Sequence, residues 1–326
     1  MKFPKRLISL FSIAAASLVA APAFSQAQPV TIRIGHGSAA EDQLWLMKAK
    51  PEITPNQGKL YKLDFTLFRG GDTRNQAYEA GQLDMITGSG HSAIFVASQG
   101  MKFKVIAGLS RESIKGFHTQ YMVMDNSPIK SIRDLKGKNV GNNAARSSIE
   151  LWQRIAFEKA GLNADRDVNW AIVPFPSQGE AVRSGKLDLG AFPEPFATNE
   201  QRKGGMRTLF TSKDANAYDE ELMHVAVSPE FVSKNPAVVR AFVADLVAAT
   251  KYFLANEKQA KQALLDSKMV GLPPEVYFNM KDYAMSPEGR VEVETLRQMQ
   301  DDLLKYKFTK TKVDPAGFVD LSFLPK

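Results

Sequence analysis

Short apolar, β-branched runs alternate along the chain with stretches whose apolar residues recur at helical spacing. Residues 30–34 end at Gly35, residues 63–68 end at Arg69-Gly70-Gly71, and residues 103–109 follow. Residues 138–141, 168–173 and 207–210 repeat the signal later in the chain. Strand, helix and strand joined by short Gly-bearing turns predict an α/β fold with mostly parallel sheets. Beyond Glu221 the pattern becomes helical. Asn235-Pro236 reads as a helix start, with proline where a missing N–H costs nothing. Val238, Val239, Phe242, Val243, Leu246, Val247 and Leu254 then form one stripe, and Leu296, Met299, Leu303 and Leu304 form another. Such stripes are core.

The pattern also repeats. Residues 73–84 resemble residues 177–188 at a constant offset of 104, and Gly35 matches Gly141 at an offset of 106. Thr73 with Gln76, and Ser177 with Glu180, read as capping boxes that open the two helices. Gly81 and Gly185 read as their stops, because a left-handed residue costs glycine little. Leu-Asp and a short apolar strand follow in both copies. Two copies of one unit imply two similar lobes, with the C-terminal helices completing the first. The extended segments 117–124 and 222–228 suit hinge strands. The expected division is a signal peptide over 1–27, lobe 1 over 28–118, lobe 2 over 119–222, and a return to lobe 1 over 223–326.

Lys2, Lys5 and Arg6 precede an apolar stretch over residues 7–21, then small residues at cleavage spacing. This is the layout of a cleaved secretory signal, with cleavage after Ser25 or Ala27, and it predicts a periplasmic protein. The formal net charge of +7 falls to about +4 without that segment. A mildly basic surface suits anionic small molecules, and no basic run interleaved with aromatics points to nucleic acid. The chain has no cysteine. That excludes lipidated anchors, thiol nucleophiles, thiolate zinc sites and iron–sulfur clusters.

In parallel α/β lobes ligands meet the loops at the carboxyl ends of strands. Here those loops are polar and Gly-rich: residues 35–38, 69–73, 87–92, 141–148 and 192–196. Ser147 and Glu150 form a third capping-box pattern. Exposed amide donors at helix starts, with Arg146 beside one, favour a carboxylate or sulfonate. Phosphate-loop and dinucleotide signatures are absent, as is a Gly-x-Ser-x-Gly elbow. His36 and His91 lie in strand-end loops. No histidine pair has metal-ligand spacing, so hydrogen bonding to a ligand is expected and no metal or cofactor is called for. His118 and His224 lie in the expected hinge strands as structural residues.

With these motifs in place the chain resembles the solute-binding proteins of ABC importers, in the branch handling sulfonates, taurine, nitrate and thiamine-precursor pyrimidines. The resemblance rests on residues 132–141 (Ile-Arg-Asp-Leu-Lys-Gly-Lys-Asn-Val-Gly) and on Gly161-Leu162 with Asp165. It rests also on Ala-x-x-x-Gly-x-Leu-Asp in both copies, on Glu194-Pro195-Phe196, on Asn235-Pro236 and on Val319 to Leu324. It implies a type II periplasmic-binding-protein fold whose cleft closes on a ligand, a monomer without catalytic activity, and an ABC permease with its cytoplasmic ATPase as partners. By family position the ligand-facing residues are His36, Gly37, Ser38, Gly70, Gly71, Ser89, Gly90, His91, Ser92, Asn142, Asn143, Arg146, Ser147, Phe192 and Glu194. The chain departs from the family at Gly90-His91-Ser92 and at residues 143–146, so the identity of the ligand does not carry over. Trp45, Phe192 and Phe196 are candidates to stack an aromatic body. The same fold also serves pyrimidine-forming thiamine enzymes and tetrapyrrole synthesis, through cysteine motifs this chain lacks. A ligand-sensing module for a receptor is the other alternative.

Overall fold

The computed structural model describes Met1 and residues 28–326, so the expected signal peptide lies, apart from Met1, outside the described residues. The first βα units are β1 (Val30–His36), α1 (Asp42–Ala49), β2 (Tyr61–Leu67), α2 (Gly71–Glu79), β3 (Met85–Gly88), α3 (Gly90–Ser98) and β4 (Lys104–Glu112). The chain then builds β5 (Gln120–Met124), β6 (Asn139–Asn142), α4 (Ser148–Lys159), β7 (Asn169–Ile172), α5 (Phe175–Arg183), β8 (Gly190–Phe192), α6 (Phe196–Lys203), β9 (Met206–Thr211) and α7 (Ser212–Ala215). It ends with β10 (Glu220–Val227), α8 (Pro229–Lys234), α9 (Pro236–Ala255), α10 (Glu257–Asp266), α11 (Pro274–Tyr277) and α12 (Val293–Lys305).

Two sheets of matching order result. The first runs β2-β1-β3-β10-β4, with β10 antiparallel to both neighbours. In the second, β8-β5-β9 and β6-β7 are joined by a parallel bridge between Val140 and Leu189. Its order is therefore β7-β6-β8-β5-β9, with β5 antiparallel to its neighbours. Each of β1, β2, β3 and β4 has its counterpart in β6, β7, β8 and β9, as duplication requires. The segments expected as hinge strands are β5 and β10, each seated inside a sheet. The chain crosses between the sheets at residues 113–119 and again at 212–219.

The Leu-Asp of the repeat has a structural role in both lobes. Asp84 accepts the Arg33 amide at 2.9 Å, while its own amide donates 2.9 Å to the Arg33 carbonyl. Asp188 does the same with Asn139, at 2.9 and 2.8 Å. Each aspartate thereby registers the first strand of its lobe against the third. The expected glycine stops are also present, with Gly81 at φ 71° and Gly185 at φ 73°. The capping boxes are not. Helix α2 starts at Gly71 and α5 at Phe175, so Thr73 and Ser177 lie inside the first turn. Thr73 Oγ1 instead donates to the Gly70 carbonyl at 3.1 Å. Pro176 explains the earlier start of α5, since the first turn tolerates a residue without an N–H.

The first sheet is covered on both faces, as parallel sheets require. Val239, Phe242, Val243 and Leu246 of α9 pack with Ile32, Ile34, Ile106 and Val225. On the other face Leu296, Met299 and Leu303 of α12 join Ile86, Ile94, Val105 and Ala226. That second cluster continues into Tyr121, Trp152 and Phe157, so one apolar body spans the junction of the lobes. Helix α9 also carries the buried Asp245. Its carboxylate accepts the Asn56 and Gln57 amides, both at 3.1 Å, Asn56 Nδ2 at 2.8 Å and Tyr61 Oη at 2.7 Å. Replacing Asp245 by Ala strands four donors. We expect Asp245→Ala to lose about 3 kcal/mol in urea denaturation, and a loss under about 1 kcal/mol would deny this carboxylate its anchoring role.

Candidate functional site

Strands β1 and β3 end side by side, and their loops meet at a buried acid. Gly37 N donates to both oxygens of Glu41, at 3.1 and 3.2 Å, and Thr87 Oγ1 donates to Oε1 at 2.7 Å. Complete burial pushes the Glu41 carboxyl up to about 7, against the opposing pull of Arg74, Thr87 and Gly37. His36 is buried beside it. Its Nδ1 accepts from Trp45 Nε1 at 3.2 Å and also lies 2.8 Å from the Gly37 carbonyl. Burial lowers its pKa. Trp45 is thus engaged with His36 in the interior and is not free to stack a ligand.

Arg74 completes this group. It sits on the buried face of α2 with only 7% of its surface exposed. Among the described residues nothing hydrogen-bonds its guanidinium, and Nε is buried without a partner. A Cβ added to Gly37 would stand 2.9 Å from Glu41 Oε1 and 3.2 Å from Arg74 Nη1, so the acid and the base both border this glycine. His224 of β10 lies beneath Gly88, and burial, helped by the Arg74 charge, pushes it down to about 3. Glu41, Arg74 and His224 were not among the expected ligand residues. The available signal was an arginine on the buried face of a helix in one repeat copy, where the other copy has Gln178.

In the second lobe the loop after β6 is organised by its own side chains. Ser147 caps α4, its Oγ accepting Glu150 N at 3.3 Å and donating to Asn142 Oδ1 at 2.9 Å. The Glu150 carboxylate accepts Arg146 N at 2.7 Å and Asn142 Nδ2 at 3.2 Å, so only the hydroxyl half of the expected capping box forms. Asn143 Oδ1 is buried without a partner among the described residues. The Arg146 side chain is exposed, on a residue at φ 56° that matches Ala40 at φ 63° in the first lobe.

His91 lies at the lobe junction. Its Nδ1 is 3.0 Å from Ser148 Oγ on α4, and its Nε2 is 3.6 Å from Glu220 Oε1. The ring packs edge-on against Trp152, and burial pushes its pKa down to about 4. Ser89 caps α3, accepting from Ser92 N at 3.1 Å. Gly90 is required by packing, since a Cβ there would meet the Glu221 carbonyl and Met299 Cε at 2.7 Å.

The remaining expected residues are dispersed. Phe192 is wholly buried with Met122, Ala197 and Met206, and Phe196 stacks on Phe175. The Glu194 carboxylate accepts Thr198 N at 3.2 Å and Oγ1 at 2.6 Å, and its backbone amide donates to Tyr283 Oη at 3.2 Å. Burial raises the pKa of that carboxyl. Gly70 and Gly71 are exposed beyond the edge strand β2, and Ser38 is exposed beyond β1.

Comparison with known proteins follows this geometry. The sequence profile of the NMT1-like family matches residues 25–265. The chain is 26% identical over 320 residues to a putative aliphatic sulfonates-binding protein of Escherichia coli K12, covering 94% of each chain. Its fold is similar to the periplasmic aliphatic sulphonate binding protein SsuA from Escherichia coli, with a TM-score of 0.73 at 22% identity over 90% of this chain and 92% of that one. It is likewise similar to the alkanesulfonate-binding protein SsuA from Xanthomonas axonopodis pv. citri bound to MOPS, with a TM-score of 0.72 at 18% identity over 90% and 99%. The two-lobed type II fold is therefore the one these proteins adopt.

The electrostatics of Glu41 lead to a pH dependence. Folded Glu41 keeps its proton up to about pH 7, while an unfolded glutamate releases it near 4.5. Its contribution to stability therefore falls as pH rises through that window. Glu41→Gln removes this loss. The stability of the variant relative to wild type should rise between about pH 4.5 and about pH 7, by at most about 3 kcal/mol. Urea denaturation of both proteins across that range checks it, and a pH-independent difference would refute it.

Proposed function

The chain belongs to the NMT1-like family, and we propose that it is the periplasmic solute-binding component of an ABC importer. It captures a small organic anion, a sulfonate or carboxylate, by cleft closure. It then delivers the ligand to a permease and, through it, to a cytoplasmic ATPase. Export follows from the expected signal peptide over residues 1–27. In this reading residues 28–118 and 223–326 form one lobe and residues 119–222 the other, with movement concentrated at the crossings 113–119 and 212–219.

The observation that carries the proposal is the duplication itself. Two units of one strand order carry equivalent strand-end loops, 36–40 and 142–147, and His91 of the first unit meets Ser148 of the second. Loops at such strand ends are where α/β lobes take ligands. The anionic class is supported by the exposed Arg146 guanidinium and by the sulfonate-binding names of the relatives. Phe192 lends no support to an aromatic ligand, being core. The relatives are binding proteins by name, and no catalytic step is assigned.

A thermal-shift panel of sulfonates, aliphatic and aromatic carboxylates, nitrate and pyrimidines tests the reading. A true ligand at a hundredfold excess over its Kd should stabilise by about 2.7 kcal/mol. Stabilisation by neutral pyrimidines alone would remove the anion class. A folded protein unmoved by the whole panel would remove the binding role.

A further inference from the structure

The two halves of the duplication differ at one buried position. Gln178 of α5 and Arg74 of α2 are equivalent, at the repeat offset of 104. Gln178 is fully enclosed and both its polar atoms are partnered: Nε2 donates to the Val173 carbonyl at 3.0 Å, and Oε1 accepts Ala191 N at 2.7 Å. It ties the loop after β7 to β8. Arg74 is enclosed almost as completely, yet no hydrogen bond reaches its guanidinium among the described residues.

A guanidinium stays charged at every pH a protein meets, and a buried charge without a partner costs several kcal/mol. The nearby acid does not offset this cost by contact. Glu41 is engaged by Gly37 and Thr87, and no hydrogen bond joins it to Arg74 although both border Gly37. His36 and His224 also feel the Arg74 charge, and burial lowers the pKa values of both. Neutral imidazoles neither repel an anion nor replace one. The unmet charge therefore sits where β1 ends and the loop begins to open, with Gly37 half-buried and Ser38 exposed.

We propose that Arg74 anchors the anionic head group of the ligand in the first lobe, through the guanidinium that Gly37 leaves uncovered. This rests on the function proposed above and deepens it. The head group is an oxyanion carrying one negative charge, because the planar fork of arginine matches carboxylate or sulfonate oxygens. Gln178 holds the equivalent place in the second lobe as a structural residue.

The test uses methanesulfonate and acetate as probes on the full mature chain, as wild type, Arg74→Gln and Arg74→Lys, by calorimetric titration and thermal melting. Arg74→Gln, which copies the second lobe's residue, should weaken binding of the responding probe by about 100-fold or more. Arg74→Lys should recover part of that loss. Without probe, Arg74→Gln should melt no lower than wild type, because it removes an unpaired buried charge. Probe affinity in Arg74→Gln within about threefold of wild type would overturn the anchor and leave the binding role intact. Lower melting of both unliganded variants would mark Arg74 as a structural cation and overturn it too. A wild type that answers neither probe also overturns the anchor, and the wider panel then decides the binding role separately.

Discussion

Each lobe is registered by an aspartate that turns back from the end of a helix to hold the first strand. Asp84 does this for β1 through Arg33, and Asp188 does it for β6 through Asn139, with almost the same two backbone distances. A slip of one residue would turn every side chain of a strand to its opposite face. The clamp thus decides which residues of β1 enter the core and where the strand ends. It sets His36 and Gly37 at the mouth of the first sheet, and Asn142 and Asn143 at the mouth of the second. Packing of α9 and α12 on the first sheet, and the loops that follow each strand, build on that register.

The loops so placed are polar, but most of their polarity is spent internally. Asn142, Ser147 and Glu150 bond one another, Glu194 caps α6, and Ser89 caps α3. His91 joins the two lobes through Ser148. A satisfied polar network rigidifies its loop and has little left to offer a ligand. The exceptions are informative for that reason. In the first lobe the Arg74 guanidinium has no hydrogen-bond partner among the described residues; in the second, Asn143 Oδ1 is likewise unpartnered and Arg146 presents its charge to solvent. A binding protein needs such unmet groups, held in place by the satisfied ones around them.

The fold is largely legible in the sequence. Residues 30–34, 63–68, 103–109 and 207–210 all fall within or against strands, the C-terminal stripes are buried except for the exposed Leu254 and the half-buried Val238 and Leu304, and Gly81 and Gly185 stop their helices with positive φ. The helix starts were less so. Thr73 and Ser177 carry a capping pattern, yet the helices begin two residues earlier, because Gly71 and Pro176 serve the first turn as well. The segments read as linking strands proved to be sheet strands, since an extended apolar run has the same appearance in either place.

Periodicity, caps, stops and the internal repeat are local properties, carried by neighbouring residues through backbone geometry. They determined the α/β class, the duplication and the strand-end loops. Partner choice is not local. Nothing near Arg74 in the chain reveals that it and Glu41 would border the same glycine, Gly37, or that His224 of β10 would feel its charge. Nor does anything near His91 reveal that Ser148 and Glu220 would enclose it. Only the tertiary structure decided which polar groups are paired and which are left open, because burial and charge act between residues that the chain brings together from far apart.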